Sequence, residues 1–308
     1  MNTSPQINII IPLFNEEDTF NRLIERIKNV ISTSDLKIEV ILVDDGSTDD
    51  TPKMMEALSL KDPNFQSIIL SRNFGHQRAL TAGMKFVNAS KAVLIMDGDL
   101  QDPPELLPEF YKKMQQGYDI VYAVRKDRKE NYFKCLCYKA YYKLQKSTSN
   151  ICMPIDSGDF SLLSRKIVDE LNKMPEESRY IRGMRSWLGF KQTGITVVRD
   201  KRFSGKSKYS YSNLFKLAMN GIFNFSEFPM RLVFGLGMTA ILISLIYFIY
   251  VLFEKLAIGT TPKGFTALLF TIILFGGLQL LSISLIGNYV VRIFFQVKNR
   301  PLFIIKKR

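Results

Sequence analysis

Asp97 and Asp99, two carboxylates on alternate residues with only Gly98 between them, are the pair in this chain best suited to hold a hard divalent cation against a diphosphate. Mg²⁺ and Mn²⁺ take oxygen ligands and use one or two carboxylates together with substrate phosphates, and Gln101 offers one further oxygen. In most contexts an isolated Asp-x-Asp is a solvated turn. Here it directly follows a short apolar run, Ala92 to Met96, that reads as a buried strand, and this placement favours a ligand site. Three other polar clusters follow apolar runs in the same way. Pro12-Leu-Phe-Asn-Glu16 follows Ile7 to Ile11, Asp44-Asp-Gly-Ser-Thr-Asp49 follows Ile38 to Val43, and Ser71-Arg-Asn-Phe-Gly75 follows Ser67 to Leu70.

The elements that must position these clusters alternate. Between the runs lie helical patterns at Glu16 to Ile31, Asp50 to Leu60 and His76 to Val87. Strand and helix in alternation predict an α/β architecture, a Rossmann-like, mostly parallel sheet. Ligands of such sheets sit beyond the carboxyl ends of the strands, where the four clusters stand. Other nucleotide sites fit poorly. No G-x-G-x-x-G follows the first strand, and Gly205-Lys-Ser lacks the earlier glycine of a phosphate loop because Asp200 stands there. His76, the single histidine, excludes His-based triads and reads as a helix-start residue. Cys135, Cys137 and Cys152 have neither a disulfide framework nor a zinc spacing, which fits a reducing compartment.

Beyond about residue 228 the composition changes. Residues 232–253 contain no charge, and neither do residues 265–291. At about 1.5 Å per residue, each exceeds a hydrocarbon thickness of about 30 Å, so a transmembrane hairpin is expected over 229–308, ending in a basic cytoplasmic tail. The N-terminus has no basic segment followed by a cleavable apolar core, so no signal peptide is expected. Arg231, Arg292, Lys298, Arg300, Lys306, Lys307 and Arg308 flank the outer ends of the pair, which puts residues 1–228 on the cytoplasmic face of a cell membrane. The net charge of +13 is concentrated. Residues 125–146 carry eight basic and two acidic groups, and residues 179–216 carry ten and one. Interfacial amphipathic helices are expected near 129–146 and 210–228, facing an anionic membrane surface. Nucleic-acid binding, the other reading of a basic chain, loses ground to a lipid phosphate once the apolar pair is considered.

The ordered segments IPLFNEE, VDDGSTDDT, LSRNFGHQRALTAGM, MDGDLQDPPE and SGDFSLLSR resemble glycosyltransferase family 2, the inverting enzymes of GT-A type. RFSGKSKYS followed by two apolar helices is similar to the polyprenyl-phosphate sugar transferases of that family, which include dolichyl-phosphate mannose synthases and bactoprenol glucosyltransferases. The resemblance implies that Pro12, Phe14 and Glu16 line the base and ribose of a UDP-sugar, with Asp45 and Asp44 holding the uracil. Asp97, Gly98, Asp99 and Gln101 would form the Mg²⁺ or Mn²⁺ and diphosphate site. Arg125, Arg128, Arg202 and Lys208 would meet phosphate groups of the donor or acceptor, and Asp159, with Asp156 as a competitor, would be the acceptor-side acid. Phe14 stands where relatives often have Tyr. A homo-oligomer, a tetramer, is also implied.

The activity implied is inverting transfer of one sugar, first among candidates glucose from UDP-glucose, to undecaprenyl phosphate. N-acetylglucosamine, mannose or an aminosugar is the alternative. A processive polysaccharide synthase is disfavoured because Tyr180-Ile-Arg-Gly-Met-Arg-Ser-Trp187 lacks the Gln of Q-x-x-R-W. A monoester phosphate has a second pKa of about 6 and needs little help from a base, so Asp159 is expected to orient a substrate more than to take a proton.

Overall fold

The computed structural model describes residues 4–125, 157–197, 228–258 and 264–308. They fall into two units, one of Met1–Leu217 with Pro301–Arg308 and one of Ala218–Arg300. The expected amphipathic helices, and Arg128, Asp156, Arg202 and Lys208, lie outside the described residues.

In the first unit β1 (Ile7–Leu13), β2 (Ile38–Asp44), β3 (Phe65–Leu70) and β4 (Ala92–Ile95) run parallel in the order β3-β2-β1-β4. Every residue of β1 is buried, as a strand covered on both faces requires. Its odd residues Ile7, Ile9 and Ile11 join a core with Phe20, Leu23 and Ile27 of α1 (Glu17–Thr33) and Met55 of α2 (Thr51–Lys61). Ile10, on the opposite face, meets α3 (His76–Lys85), where a Cβ on Gly83 would lie 2.5 Å from its Cγ2. Glycine is needed there for the helix to approach.

After α4 (Leu107–Gln115), β5 (Ile120–Arg125), β6 (Ser157–Ser164) and β7 (Gln192–Val197) extend the sheet beyond β4 in the order β4-β6-β5-β7. Helices α5 (Arg165–Lys173) and α6 (Ile181–Trp187) separate β6 from β7. β6 is antiparallel to both β4 and β5, so its first residues lie at the carboxyl edge of β4. The β5–β6 pairing is irregular at that edge. Tyr122 faces Ser161 and Val124 faces Ser157, so Gly158, Asp159 and Phe160 bulge opposite Ala123 alone.

The C-terminal tail, expected only as a basic segment, also forms a strand. It does not trail from the apolar pair, because β8 (Ile305–Lys307) pairs antiparallel with β3 and caps that edge of the sheet. Ser71 N donates to Ile304 O at 2.9 Å, and Lys307 pairs with Glu56 at 2.7 Å. The pairing joins the last residues of the chain to a strand more than 200 residues earlier, a long-range contact that no local pattern announces.

The second unit contains α7 (Phe228–Ile258) and α8 (Phe265–Lys298), both longer than the charge-free stretches within them. They are long and apolar enough to cross a membrane, and large apolar side chains such as Phe234, Ile246, Leu280 and Leu281 are exposed along them. A core helix of a soluble domain would bury those groups.

Candidate active site

β2 and β4 flank β1 on opposite sides, so the strand order reverses at β1, and the loops beyond β1, β2 and β4 open onto one edge. The β1–α1 and β2–α2 loops are laced together there. Asn15 N donates to Ser47 Oγ at 2.9 Å, Thr48 N donates to Asn15 Oδ1 at 2.9 Å, and Glu16 N donates to Thr51 Oγ1 at 3.0 Å. Phe14 and Glu16 are partly exposed at this rim, whereas Pro12 is buried within β1.

Asp44 and Asp45 are both buried, and their carboxylates serve the backbone. Asp44 accepts from Gly46 N and Ser47 N, closing its own turn. Asp45 accepts from Phe74 N at 2.7 Å and Gly75 N at 2.9 Å, tying the β2 loop to the start of α3. Burial pushes both carboxyls above their ordinary value against these hydrogen bonds. Of the carboxylates assigned to uracil from the resemblance, Asp44 thus shapes its own turn and Asp45 ties two loops together.

Asp97, Gly98 and Asp99 follow β4. Asp97 and Asp99 are partly exposed, and Gly98 packs so closely on β1 that a Cβ would lie 2.4 Å from Leu13 Cδ2. Gln101 N donates to Asp99 Oδ1 at 3.2 Å, and Leu100 between them holds a left-handed φ of 62°. Arg26 of α1 steadies this loop, donating to Leu100 O at 3.2 Å and gripping Glu105 through two nitrogens. Among the described residues no group of three or more His, Cys, Asp or Glu side chains forms a preassembled metal cage. Two accessible carboxylates fit Mg²⁺ or Mn²⁺ all the same, since such ions complete their shells with water and substrate phosphate.

Asp159 lies beside this loop at the start of β6. Arg182 of α6 grips it, with Nε 2.7 Å from Oδ1 and Nη2 3.0 Å from Oδ2. Gln77 Nε2 donates to Oδ2 at 3.3 Å, and His76 Nε2 lies 3.5 Å from both Asp159 Oδ2 and Asp97 Oδ1. Burial alone would raise the Asp159 pKa, but Arg182 and His76 outweigh it and hold the carboxyl well below the usual range. Burial likewise opposes the charge on His76, yet Asp159 and Asp97 raise its pKa to about 9, so the imidazole is protonated at neutral pH. A cavity of about 280 Å³ opens here between Phe74–Arg78 and Glu177–Arg182.

The structure therefore brings Asp97, Asp99 and Asp159 to one edge, with Arg125 ending β5 at the same edge. It adds His76, Gln77 and Arg182, which the motifs did not assign. The signal for Arg182 was present in Arg182-Gly-Met-Arg185, two cations one helical turn apart in a segment of Ile, Met and Trp. His76 does start a helix, as read, and the same position delivers it to both carboxylates.

Carboxylates and cations thus meet at a strand-order reversal, and likeness in sequence gives the class of protein to which this edge belongs. The chain matches glycosyl transferase family 2 over residues 8–171, and it belongs to that family. It is 40% identical over 98% of its length, and 94% of the relative's, to an uncharacterized glycosyltransferase, YkcC, of Bacillus subtilis (strain 168). It is 35% identical, over 98% of both chains, to the SfII prophage-derived bactoprenol glucosyl transferase of Shigella flexneri. Among solved structures, mannosyl-3-phosphoglycerate synthase from Rubrobacter xylanophilus shares 14% identity over 71% of this chain and 72% of that one, with a TM-score of 0.48.

Proposed function

We propose that this protein transfers a single sugar, glucose from UDP-glucose, to a polyprenyl phosphate such as undecaprenyl phosphate, with inversion, at the cytoplasmic face of the membrane that α7 and α8 cross. The full-length likeness to bactoprenol glucosyl transferases supports the acceptor and the sugar. The single structural observation that carries the reading is the state of Asp159. Both its carboxylate oxygens are bound by Arg182, a poor arrangement for a base. An acceptor that is already anionic needs none.

In this mechanism an acceptor phosphate oxygen attacks the anomeric carbon as the bond from that carbon to the β-phosphate oxygen breaks, and the nucleoside diphosphate leaves from the opposite face. Asp97 and Asp99 would hold the divalent ion, which supplies charge neutralisation to the leaving diphosphate. The chain's own task is to let two anions approach, and Arg78 and Arg182 at the cavity, paired with Glu177 and Asp159, would lower their repulsion. Asp159 offsets part of that positive charge and orients the substrate.

The test is direct. Membranes containing the protein are incubated with undecaprenyl phosphate, Mg²⁺ or Mn²⁺, and UDP-glucose, UDP-N-acetylglucosamine or GDP-mannose in parallel, and the lipid product is weighed by mass spectrometry. One hexose per lipid phosphate from UDP-glucose is expected. A polymer, or transfer confined to another donor, overturns the assignment.

A further inference from the structure

Arg185 is among the largest fully buried side chains of the catalytic unit, at 1% exposure. It forms no ion pair among the described residues, and its Nε has no hydrogen-bond acceptor there. Its other nitrogens are committed to one short stretch of backbone. Nη2 donates to Gly158 O at 3.1 Å, and Nη1 donates to Ser161 Oγ at 2.9 Å, which in turn donates to Asp159 O at 2.8 Å. The guanidinium lies 5.4 Å from the centre of the Tyr122 ring, on the strand opposite.

These bonds coincide with the irregularity in the sheet. Gly158, Asp159 and Phe160 bulge from the β5–β6 ladder, so carbonyls there need donors from elsewhere; Arg185 supplies one to Gly158 O directly and positions Ser161 Oγ to supply the one to Asp159 O. Burial pushes the guanidinium pKa down to about 10, a sign that the cation is held against its preference for water. A buried charge without a carboxylate partner is a poor stabiliser, and an apolar side chain of similar volume often serves a core as well or better. One helical turn earlier on the same face, Arg182 holds the Asp159 carboxylate.

We infer that Arg185 is a positioning residue for the transfer reaction, fixing the bulged backbone of β6 so that the Asp159 carboxylate stays in the grip of Arg182 at the cavity. The inference rests on the glycosyl-transfer reading for its kinetic test and on the geometry alone for its thermal one.

Arg185→Met is compared with wild type in detergent or nanodiscs, with rates referred to folded protein. Misplacement of a positioned group by about 1 Å costs about 100-fold in rate, so kcat should fall by about that factor while KM for donor and acceptor stay within about twofold. A residue needed only for folding would lower the melting temperature and leave kcat unchanged, and that result overturns the inference. Arg185→Lys, a single-point donor unable to span Gly158 O and Ser161 Oγ, should recover only part of kcat, and full recovery also overturns it. If Arg185→Met does not fold, Ser161→Ala carries the test, with an intermediate loss of kcat expected and none overturning. If wild type transfers no sugar at all, the function reading fails separately. The positioning role is then read from melting temperatures of Arg185→Met, Asp159→Asn and the double variant, where coupling supports it and additivity overturns it.

Discussion

Arg182 holds both carboxylate oxygens of Asp159, Nε to Oδ1 at 2.7 Å and Nη2 to Oδ2 at 3.0 Å. Arg182 and His76 hold this carboxyl well below the usual carboxylate range, so it has little proton affinity to lend to catalysis. Asp159 should therefore put no acid limb on the rate above about pH 4, whereas the acceptor phosphate, with a second pKa of about 6, should put one there. Measuring kcat/KM for acceptor from pH 5 to 8 checks this. A limb that vanishes in Asp159→Asn and persists with a phosphonate of shifted pKa would assign the titration to Asp159 after all.

The same pair predicts a stability pattern. Removing one partner of a buried ion pair leaves the other uncompensated, at about 3–5 kcal/mol when both are fully enclosed. Arg182 keeps about a quarter of its side chain exposed, so Asp159→Asn should destabilise by less, roughly 2 kcal/mol. Arg182→Met with Asp159→Leu should recover most of that stability and none of the transfer. Denaturant titration of wild type and these two variants supplies the comparison.

His76 gives a second pH signature. Its folded pKa of about 9 lies above the ordinary histidine value of 6.5, so its protonation stabilises the folded state fully below pH 6.5, and the contribution is lost as pH rises through 9. In metal-free protein, the melting-temperature difference between wild type and His76→Gln should shrink steadily across that window. A flat difference from pH 6.5 to 9 would remove Asp97 and Asp159 as the source of the shift.

Asp99 carries the metal prediction. Asp99→Ala should lower transfer by about 100-fold or more, because metal stabilisation of a leaving phosphate is worth several kcal/mol, while membrane insertion is unchanged. Mn²⁺ binding in the presence of UDP, followed by electron paramagnetic resonance, should weaken in parallel. Wild-type transfer that survives a chelator would contradict the assignment of this pair.

How far the residues alone announced this site depends on the range of the contacts. β1 to β4 and the clusters after them were legible because buried parallel strands are continuous apolar runs and their polar successors are local in sequence. Arg182 meets Asp159 across 23 residues, Gln77 meets it across 82, and β8 returns to β3 from the far end of the chain. Periodicity carries nothing about such pairings. The buried Asp45 shows the converse limit, since its motif was plain but the destination of its oxygens, two amides 29 and 30 residues on, depended on how two loops meet.

Gly46 should be the least replaceable glycine of these loops. It holds a φ of 72°, and a Cβ there would lie 2.3 Å from the Arg72 carbonyl carbon and 2.5 Å from Asn73 N, both backbone atoms that cannot move aside. Gly46→Ala should cost roughly 3–4 kcal/mol, combining left-handed strain with a clash. Gly117, with a φ of 92° and open space around it, is the control, and Gly117→Ala should cost about 1–2 kcal/mol from conformation alone. Equal losses in chemical denaturation would show that the approach of the two loops is looser than these distances.

The tail makes the last prediction. Pro301–Arg308 belongs to the same unit as Met1–Leu217, with α7 and α8 between them in sequence. If each helix crosses the bilayer once, two crossings return the chain to the side it left, as the pairing of the Ile305–Lys307 strand with Phe65–Leu70 then requires. The basic residues at the outer ends favour the cytoplasm for that side. Protease sites inserted within 259–263 and after Arg308 should then differ in sealed right-side-out vesicles, the first cut from outside and the second protected. Removing 301–308 should also uncover the β3 edge and the Glu56 carboxylate, lowering stability by about 1–2 kcal/mol and promoting edge-to-edge association, since an unpaired strand edge is a template for another chain. Cleavage of both sites from one side would rule out the hairpin, and an unchanged melting temperature after truncation would rule out the capping role of β8.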